Sequence, residues 1–106
     1  MDLKPVKFVG SSHDDLRKFP ADVKHEIGIE LMRVQSGLMP TDYKPMMSVG
    51  PGAYEIRVHL KGAWRAIYVA KFKDAIYVLH AFKKTTQQTA KADIDLAFKR
   101  YKLIGG

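Results

Sequence analysis

Five side chains in the second half of the chain have types and spacing suited to phosphate chemistry. Arg57 and Arg65 fall on two neighbouring β-like runs, His80 sits near the end of a third, and Lys83 and Lys84 follow at once. Guanidinium groups grip phosphate oxygens in a fork and stabilise negative charge that builds on them. Histidine is the side chain whose ordinary titration range lies closest to neutral pH, so it can move a proton. A sheet edge with a basic loop beside it suits a phosphate backbone. Each residue also has a plainer reading. Arg57 reads equally as a solvated strand charge paired to Glu55 or an Asp, and His80 as a hydrogen-bonded structural histidine. Lys83 and Lys84 read as loop lysines. Trp64 and Tyr68, the aromatic candidates for stacking on a base, read more readily as packing. Arg100, with Lys99 and Lys102, either complements a helix dipole or extends a binding surface. His59, beside a turn, is expected to be exposed and inert.

The charge is polarised in the same direction. The 106 residues carry a net +7. Residues 1–53 hold seven basic and seven acidic side chains, whereas residues 54–106 hold eleven and four. Such asymmetry favours a polyanionic partner. The absence of cysteine excludes disulfides, thiolate metal sites and cysteine nucleophiles. His13 and His25 have no partner at ligand spacing, so neither a metal nor a cofactor is expected. No dinucleotide or P-loop glycine motif is present. The start, Met1-Asp2-Leu3-Lys4-Pro5, is polar, and no apolar run approaches the roughly 18 residues of a membrane span. A soluble cytoplasmic protein is expected, with no membrane partner.

The elements that must position these residues are legible as pattern. Val6 to Val9 alternates and reads as a short strand. Ser11 and Ser12 before Asp14 and Asp15 resemble a capping box opening a helix that stops before Pro20. A longer helix follows, with Val23, Ile27, Leu31, Val34 and Leu38 as one apolar stripe and Gly37 as its stop. Residues 39–53, rich in Pro and Gly, read as a loop anchored by Met46 and Met47. Residues 54–60, 64–72 and 75–82 read as three strands joined by tight hairpins, the middle run being central. Thr89 is expected to cap a last helix from Ala90 to about Lys102, with Ile94, Ala97, Phe98 and Tyr101 as its apolar face. The order β-α-α-β-β-β-α across residues 1–106 predicts one α+β domain. It is a small antiparallel sheet with an N-terminal helical hairpin packed on it and a C-terminal helix. Register decides whether the arginines meet. A two-residue turn at Lys61-Gly62 pairs Arg57 with Ala66 and sends Arg65 to the other face. A shift of one brings the two together.

Four segments in order carry a resemblance: Tyr54-Glu55-Ile56-Arg57, Trp64-Arg65-Ala66-Ile67-Tyr68, Leu79-His80-Ala81-Phe82-Lys83-Lys84-Thr85, and Ile94 with Ala97. Together they resemble the phage-related, HigB-like branch of the RelE/ParE toxin superfamily, with Ala81 where a glycine is common. The resemblance covers about residues 4–103. It implies a toxin of a type II toxin–antitoxin module, built as a small sheet with helices on one face and a basic concavity on the other. It further implies a metal-independent endoribonuclease, an mRNA interferase that cuts messages on the ribosome. The implied partners are the ribosome, mRNA and a cognate antitoxin with a helix-turn-helix domain. In that setting Arg57 and Arg65 would hold the scissile phosphate and His80 would act as general acid or base. Lys83 and Lys84 would bind flanking phosphates or ribosomal RNA, and Trp64 or Tyr68 would stack on a base. A ParE-like toxin that inhibits DNA gyrase by binding, or an inactive nucleic-acid-binding regulatory module, fits the same charge.

Overall fold

The computed structural model describes residues 3–106; Met1 and Asp2, the first residues of the polar start, lie outside them. The elements are β1 (Val6–Phe8), α1 (Ser12–Arg17), α2 (Ala21–Gln35), β2 (Tyr43–Pro45), β3 (Ala53–His59), β4 (Ala63–Val69), β5 (Ile76–Lys84) and α3 (Lys91–Leu103). They form an α+β fold around a five-stranded sheet of order β1-β5-β4-β3-β2, with β4 in the middle. No described helix is long and apolar enough to cross a membrane.

Two features depart from the expected antiparallel sheet. β1 runs parallel to β5, because the helical hairpin carries the chain over the sheet before the strands are laid down. The segment expected as pure loop contributes β2, a short exposed edge strand paired antiparallel to β3. It is three exposed residues, with only Tyr43 packing a ring edge-on against Tyr54, so no apolar alternation marks it in sequence.

α2 forms because its apolar residues recur at helical spacing. Val23, Ile27, Leu31 and Val34 are buried against Ile56, Val58, Trp64, Ala66, Tyr68, Ile76 and Val78 of the sheet. Complete burial of a side chain such as Ile27 stabilises the fold by about 1.5–3 kcal/mol. The helix ends with Gly37 N–H donating to Val34 and Leu38 N–H to Arg33, which leaves Leu38 outside the stripe and half exposed. The capping box at α1 does not form. Ser11 Oγ donates to the Asp15 carboxylate, and Ser12 Oγ reaches across to the Val78 carbonyl.

α3 packs on the opposite face, so the sheet is sandwiched and not covered on one side only. Its Ala97 and Tyr101 meet Ile67, Val69, Leu79 and Phe82, with Met46 and Val49 closing the cluster. Met47 and Phe98, read from the pattern as core, are exposed. Arg100 fastens this layer: Nη1 donates to the Leu79 carbonyl and Nη2 to Ser11 Oγ. Its guanidinium crosses directly over Gly10, where a Cβ would come within 2.6 Å of Nε. Gly10 also holds a φ of 58°, so close approach and backbone conformation both favour glycine there.

Candidate active site

The β3–β4 turn sets the geometry. It contains three residues, 60–62, with Leu60 N–H donating to the Gly62 carbonyl. Lys61 takes φ 53° and Gly62 φ 138°, conformations in which a glycine is the natural choice and a lysine is unusual. The extra residue shifts the register by one from a two-residue hairpin, and Arg57 lies directly opposite Arg65. A β-bulge in β5, between Ile67 and Tyr68 of its neighbour, then allows Leu79 and His80 both to lie on the α3 side.

Three rows of cross-strand neighbours result on the α3 face. The first is His59, Ala63 and Lys84; the second is Arg57, Arg65 and Phe82; the third is Glu55, Ile67 and His80. Arg57, Arg65, His80 and Lys84 therefore share a face. Trp64, Tyr68 and Lys83 lie on the other, in the rows Val58–Trp64–Lys83 and Tyr54–Tyr68–Val78.

The third row is closed by α3 and the segment leading into it. His80 is buried; its Nε2 lies 2.7 Å from Asp93 Oδ1, and its ring stacks on Phe82. Its Nδ1 is enclosed without a partner. Thr89 does not cap α3; its hydroxyl donates to Glu55 Oε2 at 2.8 Å. Glu55 Oε1 faces Arg65 Nε at 3.4 Å, and both side chains are almost fully buried. Arg65 Nη1 donates to the Trp64 carbonyl. Burial lowers the Arg65 guanidinium from its ordinary range; Glu55 opposes this, Arg57 adds to it, and Asp42 opposes it.

At the β3 edge, where β2 has ended, the first two rows open toward solvent through His59 and Arg57. Arg57 is one-third exposed, with Nη1 4.0 Å from Asp42 Oδ1. His59 Nε2 lies 3.5 Å from the other Asp42 oxygen, with both side chains about half exposed. Asp42 is itself held in place. Its carbonyl accepts from Arg57 N–H, and the preceding Thr41 N–H donates to Glu30, a buried carboxylate on α2. A groove of about 290 Å³ runs here, lined by Glu26, Glu30, Asp42, Arg57 and His59 among others.

Several sequence expectations change. Tyr68 is enclosed, its ring facing Tyr54 5.9 Å away between the sheet and α2, so it has no face free for a base. Trp64 is buried against Phe19, and its indole N–H donates to the Leu60 carbonyl. Lys83 caps that indole at 5.2 Å and stands apart from the arginines. Arg100 is buried as an interlayer tie, not a surface cation. His59, expected to be inert, is the histidine that stands beside the exposed arginine. Asp42 and Glu30 carry no such signal in the sequence, because they stand in segments that read as loop and helix surface.

A search of curated proteins gave no match. The family model of phage-derived protein Gp49-like (DUF891) matches residues 14–102, which span α1 into α3 and contain all three rows. The chain therefore belongs to this Gp49-like family, a RelE/ParE-like toxin family of toxin–antitoxin systems.

Proposed function

We propose that the protein is a toxin that cuts mRNA on the ribosome, with the outer rows of the α3 face receiving the scissile phosphodiester. The observation that carries this reading is the Arg57–Arg65 pairing. Like charges directly opposite on adjacent strands cost stability, and here two carboxylates, Asp42 and Glu55, are set against them. A phosphate placed at Arg57 would replace the long Asp42 contact with a forked, charge-assisted one.

Cleavage by the neighbouring 2′-hydroxyl requires stabilised charge on the phosphorane and a proton for the departing 5′-oxygen. Arg57 contacts the phosphate. Arg65, beneath it and paired with Glu55, forms the floor of the site. Lys84 at the end of the first row binds a flanking phosphate, and Lys83 extends the basic edge on the far side of the strand. His80, committed to Asp93, acts as a positioning residue for the start of α3. Base stacking is not assigned to Trp64 or Tyr68, nor RNA contact to Arg100. The family supports an antitoxin as partner. A helix-turn-helix antitoxin with an acidic or apolar segment would cover the same block.

The test is induction in a bacterial host with mapping of mRNA 5′ ends. Cuts within translated codons are expected, falling by about 100-fold in Arg57→Ala, the size of a lost charge contact at a reacting phosphate. Growth arrest with intact messages and broken DNA would replace this reading with gyrase inhibition.

A further inference from the structure

We infer that His59 is the proton donor to the leaving 5′-oxygen and that Asp42 is the residue that positions it. This rests on the RNA-cleavage reading above. His59 follows Arg57 on the same strand face, one row outward, so a phosphate held by Arg57 places its ester oxygens beside the imidazole. The side chain is 57% exposed, whereas the other histidine of this face is enclosed with one nitrogen committed to Asp93. The Asp42 carboxylate engages Nε2, which leaves Nδ1 as the nitrogen free to meet substrate.

The charged groups around His59 are the ones that also face Arg57. Asp42 is shared between His59 and Arg57 in the free protein. When the phosphate draws Arg57 to itself, the carboxylate faces His59 alone. Glu26 and Glu30 line the same groove from α2. The opposing cations are Arg57, now matched by the phosphate, Arg65, matched by Glu55, and Lys61 and Lys84 at the turn and the row end.

The 2′-oxygen attacks phosphorus and its proton passes to water. The bond from phosphorus to the 5′-oxygen breaks, and that oxygen takes the proton from His59 Nδ1. The products are a 2′,3′-cyclic phosphate and a 5′-hydroxyl, and His59 regains its proton from solvent.

A message with one 5′-bridging sulfur at the cut site tests this, because a thiolate leaves without needing a proton. The full-length protein is assayed on ribosomes programmed with the oxygen or the sulfur message. His59→Gln is expected to lose about 100-fold on the oxygen message and to come within about threefold of wild type on the sulfur one. Asp42→Asn is expected to lose less and to be rescued in the same way. Arg57→Ala is expected to stay impaired on both. A His59→Gln protein that is as active as wild type, or equally impaired on both messages, overturns the assignment while leaving the nuclease reading intact. A wild-type protein that cuts neither message overturns both. Unchanged urea midpoints separate lost chemistry from lost folding.

Discussion

Two histidine–aspartate pairs lie on one face of one sheet and differ in almost everything else. His80 and Asp93 meet at 2.7 Å under α3, with the imidazole buried. His59 and Asp42 meet at 3.5 Å at the open strand edge, with both side chains about half exposed. The same division separates the arginines between them: Arg65 is sealed against Glu55, while Arg57 reaches toward solvent. Buried polar groups must be matched or they cost stability, so the inner set is committed to holding the layers together. Exposed groups at longer distances give up their partners cheaply, so the outer set is free to meet a ligand. Residue type alone therefore does not separate buried scaffold from groups open to a ligand; depth does.

The sharpest way to break this contrast is to cut the inner pair. Arg65→Met leaves the Glu55 carboxylate enclosed with only the Thr89 hydroxyl. It is expected to lower the unfolding free energy by about 3–5 kcal/mol, read from urea unfolding. Replacing both partners, Glu55→Met with Arg65→Met, is expected to recover most of that loss, since no buried charge then remains. A loss below about 1 kcal/mol in the single variant would mean the Arg65–Glu55 pair is wetter than its burial indicates.

The histidines supply the matched comparison. His80→Ala removes a buried ring from Phe82 and strands the Asp93 carboxylate, an expected cost of about 2–3 kcal/mol. His59→Ala is expected to move stability by no more than about 0.5 kcal/mol, as surface substitutions do. Thermal unfolding of the two variants side by side reads the difference. Equal losses would erase the distinction between the inner and outer sets.

The sequence carried the elements better than it carried their meeting. The α2 stripe, the three long strands and the last helix follow from spacing that any apolar core imposes. The arginine pairing depended on one residue in one turn, and that residue, Lys61, adopts a conformation its type does not advertise. Asp42 reaches His59 only because β2 lies against β3, and β2 is three exposed residues ending in proline. Thr89 had two uses open to it, helix cap or partner for Glu55, and only the assembled sheet chose. Arg100 sat where a dipole-complementing cation belongs, yet its partners, Ser11 and Leu79, come from distant segments. Long-range side-chain partners leave no periodicity behind, so the composition of the block was legible and its depth was not.

The smallest expected effect tests burial on the hairpin side. Burial first, then the neighbouring Tyr54 and Tyr43, raise the Tyr68 phenol above its ordinary range. A raised folded value means that the folded state holds this proton more tightly than the unfolded chain does. The contribution is fully present below the unfolded value of about 10 and is lost as pH climbs from there toward the folded value. Tyr68→Phe is therefore expected to match wild type within about 1 kcal/mol at neutral pH and to lose stability less steeply above pH about 10. Tyr77 and Lys91 are raised too, by Asp74 and Asp95, but Lys91 is exposed and the Tyr77 hydroxyl meets an exposed Asp74, so both contribute only a screened remainder. Parallel alkaline slopes for the two proteins would show that solvent reaches Tyr68. The hairpin face would then lack the sealed interior that the inner row of the opposite face possesses, and depth would no longer explain which aromatic and basic residues are withheld from chemistry.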